Sequence, residues 1–512
     1  MGNSLKTDLM RLTKDCVERA AQRPYRWGQR FHVMPPCGWL NDPNGLYQHN
    51  GVFHAYYQYA PCDAAGGGSK MWGHATSRDL VAWEDHGPAL VPDEPFDCHG
   101  VYSGSALVHD GRISMFYTGN VKQADVDGCY DYIDGGREAN TVMVDSADGF
   151  TFGAKRLLMT NDDYPDDLTC HVRDPKVWRA DVPCGRYLMF QGARRHVEVD
   201  TACRGCESPR EQLFMRAHGP RYCSDEGEVL LFSSDNLIDW KLRNRIRPRE
   251  RFGFMWECPD YFELAGVQVL SVCPQGLAGG DWDRRNLYQS GYFAVQGDLC
   301  SEYSLGDFCL WDAGFDFYAP QTFEAQDGRR ILIGWMGLPG DESYGNDPTI
   351  AEGWQHCMTL PRELSVGANG VILQQPAREI THYYSSVTVG EGSLEVAGDT
   401  CFDVSIDNVD GAFAATVNGE LSLSFAPAEG ELPARFEMRF TDESRGSAGC
   451  GRTVRWEPVD EVRNVRIVGD VSSVEVFVND GALVFSTRMY SEAYGLSVDA
   501  SGANVTYHVL NI

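Results

Sequence analysis

The sequence has no long apolar segment. No stretch approaches the roughly 18 consecutive apolar residues that a membrane-spanning helix needs, and the first residues lack an apolar run of signal-peptide length. Basic residues are also scarce, since 44 Lys and Arg stand against 73 Asp and Glu, for a formal net charge of −29. Nucleic acids and anionic membrane surfaces attract basic proteins, so we expect neither as a partner. Together these absences predict a cytoplasmic protein.

A disulfide framework is also missing. The 17 cysteines are odd in number and scattered singly along a long chain, which is typical of reduced thiols. Cys203 and Cys206 have the spacing of half a zinc site. No matching second pair follows them, so a plain loop is the simpler interpretation.

What the chain does contain is a fivefold repeat. A glycine followed by a run of apolar, β-branched and aromatic residues recurs along the first two thirds of the sequence. Such runs predict strands, with the glycine in a hairpin turn before each one. Repeats of this length built from short strands indicate a radial array, in which the first strand of every blade lines a central channel. The runs begin at Gly51, Gly111, Gly185, Gly266 and Gly328.

A polar or acidic segment precedes each glycine. If each segment lies on the first strand of its blade, the array directs Asp42, Ser103, Asp174, Glu257 and either Asp312 or Asp316 into one pocket. Any one of these carboxylates could serve a structural turn or ion pair, but a structural role for all of them is a poorer explanation. Paired carboxylates in a cleft are the groups that cleave a glycosidic bond. The segments are Asn41–Pro43, Tyr102–Ser105, Arg173–Pro175, Glu257–Asp260 and Asp316–Tyr318.

The rest of the chain predicts an all-β protein with a short N-terminal helix. Leu5, Leu9 and Leu12 recur at helical spacing within an extension of residues 1–29. We expect a propeller over residues 30–365. From about residue 380 alternating strands continue without acidic clusters, which predicts a β-sandwich over residues 366–512.

Local sequence also suggests roles for the carboxylates. Glycoside hydrolysis needs one carboxylate to attack or shield the anomeric carbon and one carboxylic acid to protonate the leaving oxygen. Glu257 has apolar neighbours that would raise its pKa, so it suits the acid. Asp42 lies among asparagine amides that could keep it ionised, so it suits the nucleophile. Asp174 adjoins Arg173, which would hold it charged and oriented toward substrate hydroxyls.

A basic stretch precedes Glu257, and its role stays open. One interpretation is the solvated face of an edge strand. The other is a contact for an anionic substrate group such as a phosphate. Arg194 and Arg195 carry the same ambiguity. The stretch comprises Lys241, Arg243, Arg245, Arg247, Arg249 and Arg251.

These motifs together resemble those of glycoside hydrolase family 32, the β-fructofuranosidases, which include invertases and sucrose-6-phosphate hydrolases. The resemblance runs from about Phe31 to the C-terminus. It implies a five-bladed β-propeller followed by a β-sandwich, and a retaining mechanism that releases β-linked fructose. The motifs that carry it are Trp39–Gly45, Tyr102–Ser105, Arg173–Trp178, Trp256–Asp260, Gln289–Tyr292 and Phe317–Phe323.

The resemblance also implies residue roles. Asp42 matches the nucleophile, Glu257 the acid/base and Asp174 the transition-state stabiliser, with no metal and no cofactor. Tyr102 stands where the family usually has Phe, and the loop 62–69 lacks an aromatic that some members place there, so the leaving-group preference stays open. The substrate-binding residues implied are Trp39, Leu40, Asn41, Gln58, Tyr102, Ser103, Arg173, Asp312 and Trp335.

Three functions remain open. The first is a hydrolase of sucrose, sucrose-6-phosphate or short fructo-oligosaccharides. The second is a fructosyltransferase, in which a sugar acceptor replaces water. The third is a sugar-binding propeller without catalysis, which would be expected to lack one of the two essential carboxylates. Asp42 and Glu257 are both present. The sequence leaves the oligomeric state open.

Overall fold

The computed structural model describes residues 2–123, 135–198, 209–218, 220–280, 284–339, 346–442 and 453–512. Cys203 and Cys206 lie outside these ranges. The chain begins with helix α1 (Gly2–Ala20), in agreement with the predicted N-terminal helix. No helix in the described part of the chain is long and apolar enough to cross a membrane.

Five antiparallel sheets of four main strands each follow the helix. Each predicted run forms the second strand of a sheet, and each polar segment lies on or beside the strand before it. Blade 1 contains β1 (Gly38–His49), β2 (Val52–Ala60), β3 (Met71–Ser77) and β4 (Trp83–Leu90). Blade 2 contains β5 (Val101–His109), β6 (Arg112–Lys122), β7 (Arg137–Ser146) and β8 (Arg156–Met159). Blade 3 contains β9 (Leu168–Val182), β10 (Gly185–Arg195), helix α2 (Pro209–His218), β11 (Glu226–Ser234) and β12 (Lys241–Ile246).

The last two blades complete the ring. Blade 4 contains β13 (Met255–Leu264), β14 (Val267–Gln275), β15 (Gly291–Gly297) and β16 (Tyr303–Leu310). Blade 5 begins with β17 (Tyr318–Glu324) and β18 (Arg330–Met336). Helix α3 (Asp347–Glu352), β19 (Trp354–Gln355) and β20 (Cys357–Met358) follow, and blade 5 ends with β21 (Arg362–Val366) and β22 (Ile372–Pro376).

The first strands close into a ring around the channel. Strand β1 contacts β5, β5 contacts β9, β9 contacts β13, β13 contacts β17, and β17 returns to β1. Strand β19 adds a parallel pairing to β1, which joins the end of the propeller to its start. The predicted five-bladed propeller is confirmed. Its boundary at residue 365 is wrong, because β22 pairs with β21 and completes the fifth blade as far as Pro376.

Aromatic side chains fill the wedges between blades. Trp72 and Tyr117 are fully buried between blades 1 and 2, and Trp256 stacks on Phe293 between blades 3 and 4. Large aromatic side chains bury much apolar area at each contact. The 12% aromatic content is therefore explained in part by blade packing.

The C-terminal domain is the predicted β-sandwich. The long strand β32 bends between its layers, because its first half pairs with β25 and its second half with β24. A continuous apolar core fills the space between the layers. The strands are β23 (Tyr384–Ala397), β24 (Phe402–Asp407), β25 (Phe413–Val417), β26 (Leu421–Ala426), β27 (Arg435–Phe440), β28 (Val454–Pro458), β29 (Asn464–Asp470), β30 (Ser473–Val478), β31 (Leu483–Arg488) and β32 (Gly495–Leu510).

Candidate active site

The first strand of every blade carries a β-bulge at the same level of the channel. At each bulge the inner strand holds one residue more than its partner strand, so the register shifts. A bulge bends its strand and changes the direction of the side chains there. Polar segments of four blades are thereby directed to one end of the channel. The bulged positions are Asn41-Asp42, Tyr102-Ser103, Asp174-Pro175, Cys258-Pro259 and Ala319-Pro320.

Backbone strain accompanies three of these bulges. Asp174, Cys258 and Ala319 have φ values of 62°, 46° and 48°, and each directly precedes a proline. Residues other than glycine adopt this left-handed region only when the surrounding structure imposes it. The sheet therefore holds the side chain of Asp174 in one fixed direction.

Two donors hold the carboxylate of Asp42. Ser103 Oγ donates to Asp42 Oδ2 over 2.5 Å, and Asn41 Nδ2 donates to Oδ1 over 3.0 Å. The indole Nε1 of Trp39 donates in turn to Asn41 Oδ1 over 2.8 Å. This chain of hydrogen bonds fixes the orientation of Asp42 from two blades.

Glu257 is held on the opposite side of the ring by three side chains. Arg173 Nη2 lies 2.9 Å from Glu257 Oε1, while Tyr318 Oη and Gln275 Nε2 each donate to Oε2 over 2.8 Å. The Glu257 side chain keeps 13% exposure. Its carboxyl group is thus fixed while it remains accessible to a ligand.

Asp174 is buried between these two groups. The Cys258 backbone N–H donates to Asp174 Oδ2 over 2.9 Å, and the backbone N–H of Asp174 donates to Thr118 Oγ1. Burial raises the pKa of Asp174 to about 7, although the Arg173 guanidinium lowers it, and the charge of Glu257 raises it further.

The thiol of Cys258 lies close to two of the carboxylates. The Cys258 thiol lies 3.6 Å from Asp174 Oδ2 and 3.9 Å from Asp42 Oδ2, so both aspartates border one small space. The thiol is buried, and its pKa is raised well above the usual value by Cys273, burial and the nearby aspartates. It remains a neutral thiol there, while Arg173 is the guanidinium in direct contact with the cluster.

Aromatic rings form one wall of the site. Trp39 meets Trp335 edge to face at 5.9 Å between ring centres and His356 at 4.3 Å. Trp335 in turn meets the ring of Tyr318, whose hydroxyl binds Glu257. This wall connects the surroundings of Asp42 with those of Glu257.

The structure brings most of the predicted site residues together. Asn41, Ser103 and Arg173 contact the carboxylates directly. Trp39 is joined to them through Asn41, and Trp335 packs against Trp39. Gln58 is buried at the junction of blades 1 and 2 and donates to Val101 O, and Tyr102 lies half-buried on the bulge of β5. Leu40 has 0% exposure and packs in the core below the site, so its side chain cannot reach a ligand.

Asp312 is a wrong prediction. Its carboxylate accepts from Arg362 Nη2 over 2.9 Å and from Ser486 Oγ over 2.6 Å, at the junction of propeller and sandwich. Asp316, the alternative, binds Arg488 Nη2 over 2.7 Å at the same junction. Both are fully buried by these partners and serve the domain interface.

Several residues of the site were not predicted. Tyr318 and Cys258 lie on or beside the bulges of their strands, and the recurring proline after a bulged residue was a signal that could have indicated them. Gln275 and His356 reach the site from second and connecting strands. No local sequence pattern marks these two.

The basic stretch before Glu257 belongs to the surface of blade 3. Arg243 donates to Ser233 Oγ and Cys184 O, and Arg245 binds Glu228 and Asp167. Arg194 is paired with Asp225. Local structural contacts therefore account for these arginines.

Carboxyl groups held close together in a cleft are the groups that glycoside hydrolases use for catalysis, and the channel of this propeller holds three. The family model "Glycosyl hydrolases family 32 N-terminal domain" matches residues 32–203 and 211–376, and "Glycosyl hydrolases family 32 C terminal" matches residues 416–512. The chain belongs to glycosyl hydrolase family 32, as the motif resemblance predicted.

Relatives of the whole chain agree with this assignment. The sucrose-6-phosphate hydrolase of Bacillus subtilis (strain 168) is 36% identical over 482 residues, which cover 91% of this chain and 89% of that protein. The raffinose invertase of Escherichia coli is 34% identical over 505 residues, with 94% of each chain covered. Both are hydrolytic enzymes by name, and the prediction of a β-fructofuranosidase-type hydrolase is confirmed.

Solved structures show the same architecture. The sucrose-6-phosphate hydrolase from Lactobacillus gasseri superposes with a TM-score of 0.80 at 24% identity, over 98% of this chain and 96% of that one. A mutant of the Bombyx mori GH32 β-fructofuranosidase in complex with sucrose superposes with a TM-score of 0.77 at 25% identity, over 99% and 98% of the two chains.

Proposed function

We propose that the chain is a retaining β-fructofuranosidase that hydrolyses sucrose, sucrose-6-phosphate or short fructo-oligosaccharides. The observation that carries this proposal is the convergence of Asp42, Asp174 and Glu257 from three blades on one space beside Cys258. A cytoplasmic location belongs to the same proposal. The free thiols of the described cysteines support it.

In the first step Asp42 attacks C2 of the fructosyl unit while Glu257 donates its proton to the glycosidic oxygen. The bond between C2 and that oxygen breaks, the other sugar leaves as an alcohol, and a fructosyl ester of Asp42 remains. In the second step the Glu257 carboxylate takes a proton from water while the water oxygen attacks C2. The bond between C2 and the Asp42 oxygen breaks, which releases the Asp42 carboxylate. Fructose leaves with its original configuration, and both carboxyl groups return to their starting states.

Asp174 and Arg173 assist this reaction electrostatically. Positive charge develops at C2 in an oxocarbenium-like transition state, and ionised Asp174 stabilises it more than it stabilises the neutral substrate. Arg173, which touches Glu257, steadies that carboxyl group as its charge changes. The pKa of Asp174 is about 7 without substrate, and positive charge that develops on C2 would favour its ionised form.

The fructosyl unit is held by the groups around Asp42. Asn41, Gln58 and Ser103 offer amide and hydroxyl groups to sugar hydroxyls, and Trp39 and Trp335 provide apolar faces. Tyr102 contributes an additional hydroxyl to the wall. These assignments need no metal or cofactor, because proton transfer and covalent attack are both supplied by carboxyl groups.

Water is the proposed acceptor. The two curated relatives carry the names of a hydrolase and an invertase, which favours hydrolysis over transfer to a sugar.

The test is kcat/KM on sucrose, sucrose-6-phosphate and 1-kestose, with the products separated by chromatography. The proposal predicts free fructose in equal amount to the other product. Transfer products in excess of free fructose at low substrate concentration would contradict it.

A further inference from the structure

We propose that Lys70 recognises an anionic group of the phosphate type on the leaving sugar, and so sets the preference for a phosphorylated disaccharide. This inference rests on the proposed fructoside hydrolysis and concerns the part of the substrate that departs. The contacts of Lys70 with Trp39 and Gly66, its burial and its charge support it.

Lys70 lies where the site opens to the surface. Its ammonium stands 5.0 Å from the ring centre of Trp39 and donates to Gly66 O over 2.9 Å. Trp39 is half-buried, and most residues of the loop 62–69 are exposed, whereas Trp335 on the inner side is buried. A sugar larger than one fructosyl unit must extend toward the open side, past Trp39 and Lys70.

No carboxylate in the described part of the chain is an ion-pair partner of the ammonium. Among the described residues its hydrogen bond goes to a backbone carbonyl, and no described carboxylate forms an ion pair with it. Lysines that are partly buried are normally paired, because burial of an isolated charge is costly. An anion supplied by the substrate would offset this cost.

Burial and nearby carboxylates act on the pKa of Lys70 in opposite directions. Burial lowers the pKa of Lys70 to about 8, although Asp42 and Asp63 raise it, and the charge of Lys122 lowers it further. At neutral pH most of the ammonium is still protonated. A protonated lysine near Asp42, in a chain of net charge −29, favours a ligand that carries negative charge.

Two other roles for Lys70 are distinguishable by experiment. Its stacking on Trp39 could position that ring, and its charge could attract the Asp42 carboxylate. Either role would affect every fructoside equally. Recognition of a phosphate would affect only the phosphorylated substrate.

The experiment compares the wild-type enzyme with Lys70→Met on sucrose and on sucrose-6-phosphate. Loss of one charge-assisted hydrogen bond predicts a fall of about 10- to 100-fold in kcat/KM for sucrose-6-phosphate. For sucrose we expect a change of less than about 3-fold. Lys241→Met, which removes the same charge from the exposed outer strand of blade 3, should change neither value.

A binding measurement keeps the inference testable if the variant turns over slowly. Glucose-6-phosphate should inhibit the wild-type enzyme more strongly than glucose does, and Lys70→Met should abolish that difference. An equal fold-loss on both substrates, or an unchanged preference in Lys70→Met, would overturn the role of Lys70. Failure of the wild-type enzyme to hydrolyse either sugar would instead refute the proposed function.

Discussion

The molecule contains two clusters of buried charge that are built in opposite ways. In the catalytic cluster one guanidinium, that of Arg173, contacts Glu257 and acts on the charge of Asp174. Asp42 is held instead by the neutral side chains of Asn41 and Ser103. At the junction of propeller and sandwich four buried acidic side chains each contact a basic one. There Arg362 binds Asp312 and Glu475, Arg488 binds Asp316, and His32 bridges Asp470 and Glu475.

Two buried carboxyl groups, Asp470 at the interface and Asp174 in the site, have pKa values shifted in opposite directions. At the interface burial alone would lower the pKa of His32, but the hydrogen bonds that its ring N–H groups donate to Asp470 and Glu475 raise it to about 9. Burial likewise opposes ionisation of Asp470, yet its bond to His32 lowers its pKa. In the site, burial raises the pKa of Asp174 to about 7 despite Arg173. Paired charges hold the domains together, whereas incompletely compensated charges remain available for chemistry.

The largest effect should come from the catalytic carboxylates. Asp42→Asn removes the nucleophile and Glu257→Gln removes the proton donor, so each should lower kcat by roughly 10³-fold or more. Thermal unfolding should stay near that of the wild type. The matched control is Asp470→Asn, which should lose stability and keep kcat. A stable Asp470→Asn protein without activity would mean that the two clusters are not separable.

The next largest effect is expected when the guanidinium of Arg362 is removed from the domain interface. Arg362→Met leaves Asp312 and Glu475 buried without their partner, which should lower the free energy of unfolding by about 3 to 5 kcal/mol. Urea denaturation measures this change. At urea concentrations where the protein is fully folded, kcat should be retained. An unchanged urea midpoint of unfolding would refute the structural importance of this network.

Asp174→Asn should have a smaller effect on the free energy of unfolding, and this effect should depend on pH. The folded-state pKa of Asp174 is raised, so its stabilising contribution is present below its unfolded pKa and is lost as pH rises toward and through about 7. The Asp174→Asn variant has no carboxyl group to ionise at this position, so it does not lose stability in this way. Relative to the wild type it should gain about 1 to 3 kcal/mol in unfolding free energy between about pH 4.5 and pH 8. A gain that shrinks with rising pH would contradict the buried-anion account.

The smallest effect is expected on the outer surface. Arg243→Gln removes an exposed arginine that contacts Ser233 and Cys184, so thermal unfolding should change by less than about 2 °C. The ratio of kcat/KM for sucrose-6-phosphate and sucrose should be unchanged. A marked fall in that ratio would show that the basic stretch contributes to substrate recognition.

Local sequence was sufficient for the repeating part of this structure. Asp42, Asp174 and Glu257 each lie in a polar segment ahead of a hairpin glycine, so strand position and chemistry could be predicted together. The bulges themselves were not predicted. They explain why side chains that share one strand position in successive blades also share one direction.

Contacts between residues that are distant in sequence could not be predicted from such local patterns. Asp312 is acidic and precedes the fifth inner strand, which made it resemble a pocket residue. Its partners Arg362 and Ser486 are distant in sequence, and Ser486 belongs to the sandwich. The end of the propeller was missed for a similar reason, because the β21–β22 hairpin carries no acidic segment.

The most direct test of the central claim is the stereochemistry of methanolysis. With sucrose in dilute methanol, the two-step mechanism through Asp42 predicts methyl β-fructofuranoside as the product of the wild-type enzyme, identified by nuclear magnetic resonance, and none from Asp42→Asn. Methyl α-fructofuranoside from the wild-type enzyme would require direct displacement and would contradict the assignment of Asp42 as the nucleophile.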